Sequence, residues 1–103
     1  MNVCTFTGFV VGDPILSEEN NVSVVEFTLV CYLYRNVKNS GEKTRIPTYL
    51  NFEAWHTGAE AIHKFAKNGS KMTINASAKN ISKEDKTIIF RVNEFDIAKM
   101  GDE

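Results

Sequence analysis

No stretch of this chain reaches the roughly 18 consecutive apolar residues that crossing a bilayer requires. The N-terminus lacks a basic segment and a continuous apolar stretch, because Thr5, Thr7 and Gly8 interrupt it, so no secretory signal is expected. Cysteine is scarce. Cys4 and Cys31 lack metal-ligand spacing and sit in apolar stretches, which reads as two buried thiols in a reducing cytosol rather than a disulfide framework. There is no repeat, no low-complexity tract and no Pro- or Ser-rich linker. A length of 103 residues leaves room for one domain.

The means for catalysis are also thin. His56 and His63 stand outside any metal-spaced or nucleophile-pairing motif. His63 faces away from the apolar stripe of its helix and reads as a solvated residue, and His56 as a loop residue. The carboxylates are dispersed, Glu84-Asp85 reads as a turn pair, and Gly8, Gly12 and Gly41 are strand or turn glycines rather than a phosphate loop. The expectation is no enzyme, no catalytic residue, no metal and no cofactor.

Lys and Arg are absent from the first 34 residues, which carry four acids. The 12 basic residues against 13 acidic ones hide this asymmetry. Residues 35–91 hold eleven bases against five acids, a net of +6, and residues 92–103 return to −3. A fold that gathers the basic block on one face presents a local potential that matters more to a polyanion than net charge does.

What the chain has in quantity is period-2 alternation. Residues 3–11 read as a first strand closed by the turn Gly12-Asp13-Pro14, followed by a loop at Ser17-Glu18-Glu19-Asn20-Asn21. In a second strand over 22–35, Val25, Phe27, Leu29, Cys31 and Leu33 share one face. Glu26, Thr28, Val30, Tyr32 and Tyr34 share the other. Asn36 to Thr44 reads as a polar excursion. A third strand over 48–55 puts Leu50, Phe52 and Ala54 inward and Tyr49, Asn51, Glu53 and Trp55 outward.

Then the period changes. Thr57-Gly58-Ala59-Glu60 has the pattern of a capping box, Ala59, Ile62, Phe65 and Ala66 make a helical stripe, and Asn68-Gly69 supplies a stop. A fourth strand over 71–80 alternates Met72, Ile74, Ala76 and Ala78 against Lys71, Thr73, Asn75, Ser77 and Lys79. After a charged turn at Ser82 to Lys86, a fifth strand over 87–97 buries Ile88, Phe90 and Val92, then Phe95 and Ile97. That shift of phase predicts a bulge near Asn93-Glu94. A helix between the third and fourth of five strands is the order of the OB-fold, a Greek-key barrel, although other small five-stranded barrels share the pattern. The fold class is all-β with one short helix.

The informative residues are aromatics among polar ones. Tyr32, Tyr34, Tyr49 and Trp55 fall on faces that otherwise hold Thr28, Asn51 and Glu53. Exposed aromatics of this kind need a cover, either a partner subunit or unstacked bases. Arg35, Lys43, Arg45, Lys71 and Lys79 interleave with them, and Lys83 and Lys86 flank the last hairpin. Cations along a groove neutralise phosphates while aromatics hold bases, which is the composition of a single-strand binder. A duplex reader needs a helix free for the major groove, and the helix here is spent on its apolar stripe. The rival reading is a protein-interaction module or structural oligomer in which the aromatics form a subunit interface.

At these residues the chain resembles the single-stranded DNA-binding protein (SSB) family of bacteria and their phages, over residues 2–97. The matching pieces are Asn2-Val3, Gly8 followed by Asp13-Pro14, Phe27-Thr28-Leu29-Val30, Ala59-Glu60 and Asn68-Gly69-Ser70. The resemblance implies an OB-fold over 1–98 that binds and protects single-stranded DNA in replication, recombination or repair. It implies little sequence preference and a homotetramer as the usual state, whereas the first strand by itself predicts a dimer at least. It also implies base stacking at Tyr34, Tyr49 and Trp55, and a cytoplasmic location in a bacterial cell or phage-infected host. A primosomal replication protein of the same fold is the alternative within this class.

Two departures from the family pattern shape the expectation. The last residues, 99–103, form a short end without the acidic recruiting tip of bacterial members, so tail-borne recruitment of repair enzymes is not expected. The loop Ser82-Lys83-Glu84-Asp85-Lys86 has no aromatic, which implies a smaller site or weaker binding per subunit. Separately, Val3 to Val11 is long, uncharged and rich in Phe6, Phe9, Val10 and Val11. As a barrel edge it would invite pairing with another subunit.

Overall fold

Alternating apolar residues become strands because one side of each can be buried while the other stays wet. The computed structural model describes residues 1–39 and 41–98, and the short C-terminal end expected over 99–103 lies outside them. The elements run β1 (Cys4–Glu19), β2 (Val22–Asn36), β3 (Lys43–Trp55), α1 (His56–Phe65), β4 (Lys71–Asn80) and β5 (Ile88–Ile97). The strands close into a barrel in the order β1-β2-β3-β5-β4. This is the all-β, OB-type architecture expected, with the helix between the third and fourth strands.

The inward residues meet on the barrel axis. Val25, Phe27, Leu29, Phe52, Met72, Ile74 and Ala76 are buried, with Phe6, Phe90, Val92, Phe95 and Ile97 packed against them. Phe52 is the centre of an aromatic group: its ring lies 5.4 Å from Phe27, 5.5 Å from Phe90 and 5.8 Å from Phe6. Ala59, Ile62 and Ala66 of the helix segment join the same core. Gly8 leaves room for β2 at the start of its pairing with β1, because a Cβ there would overlap the Val30 carbonyl oxygen and crowd Cys31 Sγ.

Several local expectations give way to tertiary contacts. Gly12-Asp13-Pro14 is a bulge, not the end of a strand. Gly12 takes φ +76° and the register with β2 shifts between Val11 and Ile15. Side chains hold the bulge in place: Gly12 N–H donates to Asn68 Oδ1 (2.8 Å) and Asn68 N–H to Asp13 Oδ1 (3.1 Å). Ser17, Glu18 and Glu19 therefore remain in β1. Only Asn20 and Asn21 turn, both with positive φ, as a two-residue hairpin of the twist-compatible type requires. The polar excursion after β2 is likewise shorter than expected, since pairing of β2 with β3 continues to Asn36 and Lys43.

The capping box does not form. α1 starts at His56, directly on the end of β3, and Trp55 is an N-cap with extended backbone and no side-chain cap bond. Glu60 instead accepts the Ser23 hydroxyl at 2.9 Å, because that flank of the helix lies over the start of β2. Phe65, assigned to the inward stripe, is 61% exposed. At about 100° per residue it stands roughly 60° from Ile62, and Ala66 takes the inward place. Ile88 is also exposed at the mouth of β5. The expected bulge in β5 is present: Asn75 pairs with Glu94 and Ala76 with Val92, leaving Asn93 extra.

β1 is not a free edge along its length. Cys4–Phe9 pair with β4, and Phe9–Val11 and Ile15–Glu19 pair with β2, so one bent strand closes both sides of the barrel. Pairing on the β2 side begins only at Phe9, which confines any open edge to Cys4–Gly8.

Candidate nucleic-acid interface

Cross-strand partners in an antiparallel pair point to the same side. The register of β2 with β3 therefore defines one outer surface by rows: Tyr34 with Arg45, Tyr32 with Pro47, Val30 with Tyr49, Thr28 with Asn51, Glu26 with Glu53, and Val24 with Trp55. β1 extends two of these rows with apolar residues, Phe9 beside Val30 and Val11 beside Thr28. It extends a third with Ile15 beside Glu26. β5 adds Arg91 beside Glu53.

On this surface Tyr34 and Tyr49 are 64% and 63% exposed, far more than a packed ring would be. Tyr32 is half-buried and lies under the Arg45 guanidinium, 4.1 Å from the ring centroid. Trp55 is half-buried at the end of β3. Its indole N–H donates to Glu53 Oε2 at 3.1 Å, and the Arg91 guanidinium stands 5.6 Å from its ring. Asn51 is exposed and accepts the Thr28 hydroxyl at 2.9 Å through Oδ1, which leaves its amide N–H groups to face outward partners.

The basic residues divide into groups. Arg45 and the exposed Lys43 lie on the outer side of the β2–β3 ribbon. Arg35, opposite Thr44, lies on the reverse side from Tyr34. Lys71 pairs with Phe9, which also pairs with Val30, so it reaches the row of Tyr49 from three strands away, roughly 14 Å at ~4.8 Å per strand. Lys79 forms an ion pair with Glu53, Nζ to Oε2 3.0 Å.

Lys83 and Lys86 are exposed on the β4–β5 connection. That connection is ordered by its own bonds: Asp85 N–H donates to Ser82 Oγ (3.0 Å) and Thr87 N–H to Asp85 Oδ1 (2.9 Å). The bonds from Thr87 hold the Asp85 carboxyl below its usual range.

A cleft of about 420 Å³ runs over the middle rows. Thr28, Asn51 and Glu53 are among its lining, and Ile15 of β1 faces Lys79, Ile81 and Ile89 of the β4–β5 hairpin across it. Ile15 and Ile81 are 71% and 55% exposed at this cleft. A second cleft of about 310 Å³ lies where the N-terminal part of β1 parts from the β2–β3 ribbon, lined by Phe6, Cys31, Tyr32, Leu33 and Leu50 among others. Burial there pushes the Cys31 thiol above its ordinary value.

Arg91, Glu53, Ile15 and Ile81 belong to this surface but were not among the candidates read from sequence. Alternation in β5 could have placed Arg91 outward. Nothing in the local sequence announces that Glu53, on an outward position, is 7% exposed. Among the described residues no group of three or more His, Cys, Asp or Glu side chains converges as a metal site would. No helix of the described residues is long and apolar enough to cross a membrane.

Known proteins give this geometry a context. No curated protein sequence matches the chain significantly. Among solved structures it is similar to the small single-stranded DNA-binding protein from Streptomyces coelicolor, with 13% identity, a TM-score of 0.75 and 95% of each chain covered. It is also similar to the wild-type single-stranded DNA binding protein from Thermus aquaticus (14% identity, TM-score 0.79). A deletion mutant of that protein gives 13% identity and a TM-score of 0.80. The match covers 96% of this chain in both cases but only 50% and 51% of the Thermus chains, so this chain spans about half their length. At such identities the likeness is one of fold. The sequence itself matches the model of the single-strand binding protein family over residues 1–97, and the chain belongs to that family.

Proposed function

We propose that the outer surface of β2 and β3 holds single-stranded DNA without sequence preference, with Tyr34, Tyr49 and Trp55 stacking on bases. The observation that carries this reading is the shared side of Tyr34, Arg45, Tyr49, Asn51 and Trp55 on two paired strands. Each aromatic offers a face to a base, worth roughly 1–3 kcal/mol per base by truncation. Arg45 and Lys43 on the outer side of the ribbon, Lys83 and Lys86 on the β4–β5 connection, and Lys71 further round the barrel are the phosphate ligands of this reading, whereas Arg35, on the reverse side of the ribbon, falls outside it. Tyr32, already capped by Arg45, supports the guanidinium more than it meets a base.

The action is passive. A strand held by its bases is withheld from pairing, which protects it and removes hairpins during replication, recombination or repair. The proposed working form is a homo-oligomer, a tetramer in the fullest reading. The unpaired side of Cys4–Gly8 supports it, and sedimentation of the purified chain tests it.

The decisive experiment titrates the fluorescence of Trp55, the single tryptophan of the chain, with an unstructured thymidine oligonucleotide and with a duplex of equal length. Quenching by the single strand and little response to the duplex is the expected result. No response to either from folded protein would instead assign the aromatics to a subunit or protein interface.

A further inference from the structure

Glu53 is the anomaly of this surface. It is a carboxylate on a face read as a polyanion site, and its side chain is only 10% exposed. A carboxylate withdrawn from water is unfavourable unless donors replace the solvent. Two donors converge on the same oxygen: the Trp55 indole N–H at 3.1 Å and the Lys79 ammonium at 3.0 Å.

The reach to Trp55 follows from strand geometry, since residues two apart on β3 stand side by side on one face. Lys79 comes from a different part of the chain. Tertiary structure delivers it because β5 lies between β3 and β4, pairing with Glu53 through Arg91 and with Lys79 through Ile89. Arg91 lies toward the Trp55 ring, 5.6 Å from its centroid, rather than on the carboxylate.

We propose that Glu53 is a positioning residue of the DNA-binding face: its Oε2 fixes the indole ring of Trp55 and holds the Lys79 ammonium, so Lys79 is not a free phosphate ligand. This inference rests on the reading that the β2–β3 surface takes the strand. Its physical content is pre-organisation. A ring held at its edge loses less rotational freedom when a base arrives on its face, and a cation already paired with a carboxylate neutralises no phosphate, so it displaces no counterion from the strand.

The test uses Trp55 as its own reporter in the full chain. In free protein, Glu53→Ala lowers the fluorescence anisotropy of Trp55 and increases its quenching by acrylamide. Glu53→Gln, which keeps an acceptor for the indole N–H, stays near wild type in both. With a thymidine oligonucleotide, Glu53→Ala weakens binding roughly 3- to 10-fold at high salt, where the stacking contribution dominates.

Glu53→Gln steepens the dependence of log affinity on log salt by about 0.7, the value of one added phosphate contact on a single strand. The steepening disappears in the double variant Glu53→Gln/Lys79→Gln. Unchanged anisotropy and quenching in Glu53→Ala overturn the positioning role. An unchanged salt slope in Glu53→Gln, or a steepening that survives the second substitution, overturns the hold on Lys79. Where Glu53→Ala does not fold, the Glu53→Gln slope and its reversal still decide. Wild-type protein that fails to bind the oligonucleotide sinks the reading of the surface, while the anisotropy comparison still decides whether Glu53 holds the ring.

Discussion

The barrel has two outer surfaces built by the same alternation, and they carry different chemistry. On the β2–β3 side the rows read Tyr34–Arg45, Val30–Tyr49, Thr28–Asn51 and Glu53–Arg91, with Trp55 closing the series. On the other side, where β1, β4 and β5 pair, the rows read Thr5–Asn75–Glu94 and Thr7–Thr73–Asp96. Short hydroxyl and amide side chains with two acids are what a solvated sheet face needs. Tyr34 and Tyr49, each more than 60% exposed, share the first surface with Arg45, and that combination of rings and cation is what the proposed contact uses. Outward position by itself therefore says nothing of function. The contents of adjacent rows do.

Four experiments break or sharpen this contrast. The largest effect belongs to the core both surfaces share. Phe52→Ala removes a fully buried ring from contact with Phe6, Phe27 and Phe90 and is expected to lower stability by about 3–5 kcal/mol, read from chemical denaturation. That is a large part of the ~5–15 kcal/mol of an ordinary domain, and it falls on both faces alike.

Next comes the surface contrast itself. Trp55→Ala is expected to weaken binding of a thymidine oligonucleotide by about 1–3 kcal/mol while the chain stays folded, and Thr73→Ala on the opposite face leaves affinity unchanged. Equal losses from both would erase the distinction.

A smaller effect concerns charge. Affinity should fall linearly in log–log with salt, and Arg45→Ala should flatten the slope by about 0.7, one phosphate contact on a single strand. A slope indifferent to Arg45 would remove that residue from the phosphate path.

The smallest effect tests the boundary where the two surfaces part, at the cleft that Cys31 lines. Its thiol is raised above the ordinary value of 9.0 by burial alone. A raised folded value means the contribution to stability is whole below that ordinary value and is lost as pH rises through the raised one. Melting temperature should therefore decline from about pH 8 to about pH 10 more in wild type than in Cys31→Ala, measured by circular dichroism. Identical declines would show that Cys31 ionises as freely in the fold as outside it.

Much of the fold was legible because burial on one side imposes a period of two that survives in any single strand. The inward positions Val25, Phe27 and Leu29 of β2 and Met72, Ile74 and Ala76 of β4, the helix between β3 and β4, and the bulge at Asn93 could all be read that way, whereas Leu33, on the same alternation as Leu29, is 61% exposed. The misreadings share a cause. Gly12-Asp13-Pro14 looks like a terminus because locally it is one, and only Asn68, far along the chain, bonds the bulge and lets β1 resume. Thr57 and Glu60 have the spacing of a capping box, but Ser23 reaches Glu60 from another strand. Phe65 looks inward until the helix ends and Ala66 takes its place.

The candidate site divides along the same line. The sequence alone determined that Tyr34, Tyr49, Asn51 and Trp55 point outward, because alternation along one strand decides direction. It also determined that the bases cluster after residue 34. Only the tertiary structure decided which of these residues stand together. The β2–β3 register set Tyr34 beside Arg45 and turned Arg35 to the other side. The closure of β3 on β5 buried Glu53 and gave it Lys79 and Arg91 for neighbours. Direction is a property of consecutive residues, whereas neighbourhood, burial and the pairing of charges depend on which distant strands the barrel brings side by side.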